Sequence, residues 1–158
     1  MKNVILLDLD GVLITTPPWK QDELHDDGYS NFNYLAVDNL NKLLSIADAE
    51  LWLISDRRKG YIKEQFNAIF SNRNISKKLS GMVPVYPGEY TRIGELEKFL
   101  EEFTPTNFLS IDDEGSLEEL EDDKKKFWVR TNPLVGFNEE KLNEAIEKIK
   151  NWKTCDTL

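Results

Sequence analysis

The amino-acid sequence predicts an α/β fold in which helices cover both faces of a parallel sheet, forming a three-layer α/β/α sandwich. Short, continuously apolar runs alternate along the chain with stretches whose apolar residues recur at helical spacing. The apolar runs do not alternate with polar residues, as is typical of strands buried on both faces. Polar side chains directly follow several of these runs, at the edge where parallel sheets bind ligands.

The first half of the chain supplies two strands and two helices. Residues 4–7 are an apolar run that ends at a charged residue, shortly before Gly11, and they predict a buried strand. After a polar loop, apolar residues at helical spacing predict a helix over 35–47. Residues 51–54 predict the second strand, and a further apolar stripe over 62–70 predicts the next helix.

The second half continues the alternation with shorter strands. Apolar runs predict strands at 82–86, 108–111 and 127–129. Pro84 weakens the first of these, because proline cannot donate a hydrogen bond to the ladder. Apolar stripes predict helices over 93–103 and 142–152, and the charge run at 118–126 predicts a solvated helix end or loop.

These elements predict a single domain spanning residues 1–158, without internal repeats. The longest stretch between predicted elements, residues 14–33, is long enough for a small flap and too short for a folded cap domain. The stretch between Ser55 and Met82 is fully used by helices. We therefore expect no large cap domain and an open site.

Composition narrows the chemistry and the partners. With one histidine, His25, and one cysteine, Cys155, a disulfide framework, a cysteine zinc site and most histidine-dependent nucleophiles are excluded. Carboxylates remain as metal ligands, and they favour Mg²⁺, Ca²⁺ or Mn²⁺ over zinc. The net charge of -9 disfavours nucleic acid without excluding it. No apolar run approaches the roughly 20 residues of a membrane span, so we expect a cytoplasmic protein; the oligomeric state stays open.

Acidic and hydroxyl side chains follow three of the predicted strands. Asp8 and Asp10 follow the first strand, Ser55 the second, and Asp112 and Asp113 the fourth. Because the carboxyl ends of parallel strands meet at one edge, we expect these side chains to lie close together. Four carboxylates there would repel one another unless some are protonated or a divalent cation lies among them. The pattern therefore predicts a metal site.

These motifs resemble those of the haloacid dehalogenase (HAD) superfamily. Residues 8–13, DLDGVL after an apolar strand, resemble the first motif, while Ser55 resembles the second and Asp112-Asp113 the fourth. The third is a lysine or arginine near a helix start, for which Arg92 fits best and Lys98 competes. Residues 128–133, with Gly136 and Phe137, are similar to the C-terminal part of the small, capless HAD domains of Swiss Army Knife RNA-repair proteins. The resemblance implies a Rossmann-like parallel sheet.

The resemblance also implies a Mg²⁺-dependent phosphomonoester hydrolase. Asp8 would attack phosphorus and form an aspartyl-phosphate, and Asp10 would act as general acid and base, with Leu9 turned to the other face. Ser55 would donate a hydrogen bond to a phosphoryl oxygen, and Arg92 would neutralise developing charge.

The metal and substrate contacts follow from the same resemblance. Mg²⁺ would be held by Asp8, the backbone carbonyl of Asp10, Asp112 and, as a ligand or an orienting partner, Asp113. Gly11 permits the tight backbone path after the first motif. Arg57 is either a contact for the substrate phosphate or an ordinary surface arginine.

Several alternatives remain open at this level. The chain could be a HAD-fold binding module without activity, whereas a phosphoacceptor receiver domain is disfavoured because no aspartate follows the third predicted strand at Tyr86-Pro87-Gly88. Asp8 and Asp10 could form an ordinary turn, and Ser55 could cap the next helix. The substrate, which could be a nucleotide, a nucleic-acid end or a phosphoprotein, is not specified by the sequence.

Overall fold

A computed structural model of the protein describes residues 2–152, so Cys155 lies outside the described part. Its centre is a five-stranded sheet in the order β3-β2-β1-β4-β5, in which each neighbouring pair is parallel. The strands are β1 (Val4–Leu7), β2 (Glu50–Leu53), β3 (Gly81–Met82), β4 (Phe108–Asp112) and β5 (Trp128–Arg130). The predicted α/β fold with a parallel sheet is thus confirmed.

β3 is shorter than the strand predicted at 82–86. Val83 still donates its N–H to the carbonyl of Leu53 at 2.9 Å, but Pro84 has no N–H with which to continue the ladder. The carbonyls of Val83 and Pro84 instead accept hydrogen bonds from the side chain of Arg58, at 2.6 and 3.3 Å. The proline and the arginine together end the strand.

The four predicted helices are all present within residues 2–152, and a further helical turn lies in the charge run. They are α1 (Tyr34–Ile46), α2 (Lys63–Asn72), α3 (Arg92–Phe103), a single turn α4 (Asp122–Lys125) and α5 (Glu139–Ile149), with 3₁₀ turns at Asp56–Arg58 and Gly115–Glu119. Asn33, Thr91 and Asn138 cap the N-termini of α1, α3 and α5 with their side chains. The last helix ends before Trp152, and the charge run at 118–126 forms a 3₁₀ turn and α4. None of the described helices is long and apolar enough to cross a membrane.

The helices cover both faces of the sheet. On one face, α1, α2 and α5 share a core with Ile5 and Leu7 of β1, and on the other, α3 shares a core with Val4 and Leu6. Because successive side chains of a strand point to opposite faces, this one strand contributes to both cores. Each fully buried leucine or isoleucine contributes about 1.5–3 kcal/mol to stability. The sandwich therefore requires β1 to be apolar at every position.

Residues 14–33 form an irregular segment between β1 and α1, which we call the flap. Arg73, at the end of α2, fastens the flap to the body of the protein. It donates to both carboxylate oxygens of Asp27, at 2.6 and 2.8 Å, and to the carbonyls of Tyr29 and Ser30, at 3.0 Å each. A buried arginine of the core thus holds the flap in place, and an isolated antiparallel bridge between Leu24 and Ser30 links the flap internally.

Candidate active site

Three aspartates from two neighbouring strands converge at the carboxyl edge of the sheet. Asp8 directly follows β1, Asp112 ends β4, and Asp113 comes next along the chain. One carboxylate oxygen of each lies within 4.8 Å of those of the other two. Asp8 and Asp112 are buried, and Asp113 is partly buried. The parallel pairing that sets Leu7 beside Ile111 makes this convergence a consequence of the sheet register.

Burial and crowding oppose ionisation of the three aspartates. Burial raises the pKa of Asp8 well above its ordinary value, and the charge of Asp112 raises it further. Burial likewise raises the pKa of Asp112, although the charge of Arg92 opposes the shift. The pKa of Asp113 rises to about 7, first through burial and then through the charge of Asp8. A cation bound among the aspartates would stabilise their ionised forms.

The cluster has the donor set of a divalent-cation site. Carboxylate oxygens are the hard ligands that such cations prefer. Oδ1 of Asp112 accepts a hydrogen bond from the N–H of Glu114 at 3.1 Å, whereas its buried Oδ2 accepts none from any residue between 2 and 152. A buried carboxylate oxygen without a donor is costly, and a bound cation would remove that cost. The three aspartates could therefore hold a metal ion.

Arg92 brings a positive charge to the aspartates. It is the first residue of α3, and its Nη1 donates to the carbonyl of Ile54 at 2.6 Å. Its Nε lies 3.4 Å from Oδ2 of Asp112, and its Nη2 lies 3.8 Å from Oδ1 of Asp8. The guanidinium therefore lies beside both buried carboxylates.

Lys98, the other candidate for the third motif, has different neighbours. Its Nζ lies 3.8 Å from the carboxylate of Glu89 and 5.8 Å from the ring centre of Tyr86. Its side chain is also 44% exposed, whereas that of Arg92 is 8% exposed. Of the two candidates, the structure brings Arg92 to the aspartates.

Asp10 does not join the cluster of carboxylates. Its side chain is 57% exposed and forms a bidentate ion pair with Arg57. Nε of Arg57 donates to Oδ2 at 2.7 Å, and Nη2 donates to Oδ1 at 2.8 Å. The carboxylate of Asp10 is thus turned toward Arg57, and it is not among the three groups that meet at the possible metal site.

The guanidinium of Arg57 faces an acceptor for each of its five N–H groups. Besides the two oxygens of Asp10, these acceptors are Oδ2 of Asp22 at 2.8 Å, Oγ of Ser30 at 3.2 Å and the hydroxyl of Tyr29 at 3.5 Å. Asp22, Ser30 and Tyr29 all belong to the flap. A contact between Arg57 and a substrate phosphate, which the sequence suggested, would require one of these hydrogen bonds to be exchanged.

Ser55 is fully buried just beyond the end of β2. Its Oγ accepts a hydrogen bond from the N–H of Arg57 at 3.2 Å and so caps the 3₁₀ turn at Asp56–Arg58. The alternative prediction that Ser55 caps the helical turn after it is therefore confirmed. No residue between 2 and 152 accepts a hydrogen bond from its hydroxyl group, so the O–H is not committed to a partner among them.

Gly11 and Thr131 fix the backbone after the first motif. Gly11 has a φ of 78°, a conformation that glycine adopts without strain. Its N–H donates to the carbonyl of Ile14 at 2.8 Å, and its carbonyl accepts a hydrogen bond from Oγ1 of Thr131 at 2.6 Å. Thr131 directly follows β5, so the strand-end rule that indicated the other residues could also have indicated this one.

Gly11→Ala is expected to lower the free energy of unfolding by about 2–4 kcal/mol. An added Cβ would lie only 2.1 Å from Oδ2 of Asp113 and 2.9 Å from its Cβ, in addition to the strain of a positive φ. Gly28→Ala is the matched control, because Gly28 has a φ of 83° and no heavy atom within 4 Å of the new Cβ. Urea unfolding should show a clearly smaller loss for the control; equal losses would mean that the contact with Asp113 is unimportant.

Arg58 is a buried arginine that sequence analysis did not single out. Its side chain is 1% exposed and forms an ion pair with Glu95 of α3. Its Nη1 also donates to the carbonyls of Ile54 and Ser55, at 2.8 and 3.0 Å. Arg58 therefore ties the end of β2 to the first turn of α3, which carries Arg92.

The sheet and the strand-end cluster together define the class of the protein. The strand order 3-2-1-4-5 is the Rossmann-like order and differs from the 2-1-3-4-5 order of receiver domains. With an aspartate cluster at the ends of β1 and β4 and no cap, the chain has the architecture of a small HAD domain. In agreement, a family model described as the HAD domain in Swiss Army Knife RNA repair proteins matches residues 4–142. The chain belongs to this family, and a search of curated proteins found no match.

Proposed function

We propose that the protein is a Mg²⁺-dependent phosphomonoester hydrolase that acts through an aspartyl-phosphate on Asp8. The observation that carries the proposal is the meeting of Asp8, Asp112 and Asp113 beside Arg92 at one edge of the sheet. Such a site offers oxygen ligands to a cation and a guanidinium to phosphoryl oxygens. Membership of the HAD superfamily supports the same class of reaction.

In the first half of the proposed reaction, a carboxylate oxygen of Asp8 attacks phosphorus. The bond between phosphorus and the ester oxygen breaks, and Asp10 donates a proton to the departing oxygen. Arg92 and the hydroxyl of Ser55 stabilise the charge that develops on the phosphoryl oxygens. A carboxylate suits the first step because it is a nucleophile that forms a labile acyl phosphate.

In the second half, water attacks the aspartyl-phosphate. Asp10, now ionised, accepts a proton from the water, inorganic phosphate leaves, and the carboxylate of Asp8 is restored. The roles of Asp10 in the two halves are complementary, because the proton it gives to the leaving group is replaced by the proton it takes from water.

Asp8, Asp112 and the backbone carbonyl of Asp10 would hold Mg²⁺, with Asp113 as a further ligand or an orienting partner. When bound, the ion would balance the charge of the cluster and polarise the phosphoryl group. The buried Oδ2 of Asp112, which accepts no hydrogen bond from residues 2–152, supports this assignment.

The proposed substrate is a phosphorylated molecule that reaches the uncapped site at the carboxyl edge of the sheet. The description of the family favours a nucleic-acid end, whereas the net charge of -9 favours a less anionic partner, such as a phosphoprotein, or a single nucleotide. A panel of phosphorylated metabolites, oligonucleotides with terminal phosphates and phosphopeptides separates these classes by phosphate release.

Removal of divalent metal with EDTA is expected to lower phosphate release at least about 100-fold, and excess Mg²⁺ should restore it. Mg²⁺ should also raise the unfolding temperature of the metal-free protein, because the cation binds the folded cluster. Full turnover in EDTA would contradict the proposal. Metal and phosphate binding without turnover on any member of the panel would instead favour a binding module.

A further inference from the structure

The flap places an acidic side chain next to the pair formed by Asp10 and Arg57. Oδ2 of Asp22 accepts hydrogen bonds from Nη2 of Arg57 at 2.8 Å and from Oγ of Ser30 at 2.6 Å. The hydrogen bond from Ser30 makes the largest contribution to lowering the pKa of Asp22 to about 2. The same Nη2 of Arg57 also donates to Asp10, so Asp22, Arg57 and Asp10 form one continuous ion-pair chain.

Ser30 fixes this series of ion pairs to the core of the protein. The residue is buried, and its carbonyl accepts a hydrogen bond from Nε of Arg73 at 3.0 Å. Its hydroxyl donates to Asp22 and accepts from Nη1 of Arg57 at 3.2 Å. The flap can therefore hold Asp22 in a defined position, because Arg57 and Arg73 both donate hydrogen bonds to Ser30.

Arg57 orients Asp10, which is the most exposed of the three ion-paired side chains. Asp10 extends from the protein with more than half of its side chain exposed, and its contacts with Arg57 determine where its carboxylate points. Each oxygen of Asp10 accepts one hydrogen bond from Arg57, so each keeps a second lone pair for proton transfer. Orientation by Arg57 is thus compatible with the acid and base roles.

We propose that Asp22 is a positioning residue for the reaction: it holds Arg57, and Arg57 in turn keeps the carboxylate of Asp10 directed at the leaving oxygen. This inference rests on the function proposed above. Without the charge of Asp22, Asp10 becomes the single carboxylate partner of Arg57, and only the neutral hydroxyls of Ser30 and Tyr29 still hold the guanidinium to the flap. Small displacements of a catalytic group lower the reaction rate steeply, because proton transfer depends on the position of that group.

The test compares kcat/KM for two phosphomonoesters with different leaving groups, in the wild type and in each variant. Asp22→Asn should lower kcat/KM about tenfold for an alkyl phosphomonoester, whose poor leaving group requires the proton of Asp10. For p-nitrophenyl phosphate, whose leaving group departs without protonation, the loss should stay below about twofold. The ratio kcat/KM is used because it reports phosphorylation of Asp8 even when hydrolysis of the aspartyl-phosphate limits kcat. Asp26→Asn is the matched control: it removes the same charge from the flap, at an exposed residue without an ion pair to any residue between 2 and 152.

A double-mutant cycle tests whether Asp22 acts through Arg57. In the Arg57→Ala background, Asp22→Asn should cause no further loss on the alkyl ester, and thermal unfolding of each variant checks that the fold persists. Equal losses on both esters, a similar loss in Asp26→Asn, or losses that add in the double variant would overturn the positioning role. If phosphate release does not depend on Asp8 at all, the proposed function fails and the positioning role fails with it; if release depends on Asp8 but not on Asp22, the positioning role fails alone.

Discussion

Asp8→Asn is expected to lower phosphate release by about three orders of magnitude or more, because an amide oxygen is too weak a nucleophile to attack phosphorus. The amide has nearly the same shape as the carboxylate, so the packing at the end of β1 should persist. Burial and the charge of Asp112 both raise the pKa of Asp8, which means that the folded protein disfavours its ionised form. Removing this charge should therefore leave the free energy of unfolding unchanged or raise it, as urea unfolding at neutral pH would show.

The combination of lost turnover with retained stability distinguishes a nucleophile from a structural residue. Asp122→Asn serves as the control, because it makes the same chemical change at a fully exposed side chain and should alter neither property. Rapid acid quenching should trap a phosphorylated form of the wild type and none of Asp8→Asn. Retention of a tenth or more of the wild-type rate by Asp8→Asn would place the nucleophile elsewhere.

The aspartate cluster was predictable because it depends on sheet geometry. The apolar runs at 4–7 and 108–111 identify strands, and parallel pairing brings the residues after them together. Asp8, Asp112 and Asp113 meet for that reason alone. Arg92 was also predictable in part, since the N-terminus of a helix that follows a strand approaches the same edge of the sheet.

The orientation of Asp10 could not be predicted in the same way. It depends on Arg57, and Arg57 depends on Asp22 and Ser30 of the flap. The flap has no hydrophobic periodicity, and its conformation is set by local backbone hydrogen bonds together with side-chain contacts to Arg57 and Arg73, which are distant in sequence. Strand and helix patterns contain no information about such contacts.

Arg58 was missed for a related reason. It lies in a polar stretch after β2, where an arginine is ordinarily exposed. Its burial follows from the short β3, whose end leaves the carbonyls of Val83 and Pro84 without ladder partners, and from the position of Glu95 on α3. These elements are distant in sequence, so the need for a buried cation appears only when they have been assembled.

Arg58→Met is expected to lower the free energy of unfolding by about 3–5 kcal/mol, because it leaves the buried carboxylate of Glu95 without its partner. The carbonyls of Ser55 and Val83 lose their side-chain donor in the same substitution, whereas that of Ile54 keeps Arg92. For a domain of this size, the loss corresponds to a fall in unfolding temperature of about 6–20 °C. Thermal and urea unfolding, followed by circular dichroism, would measure it.

Two further variants separate the loss of the ion pair from the loss of packing. Arg130→Met removes an arginine whose partner, Glu118, is about half exposed, and should cost less than about 1 kcal/mol. In the double variant Arg58→Met/Glu95→Met no buried charge remains, so it should recover part of the stability lost in Arg58→Met. If Arg58→Met costs no more than Arg130→Met, the buried pair does not hold β2 to α3. If the double variant is stable but inactive, the pair serves mainly to set the position of Arg92, one turn before Glu95 on the same helix.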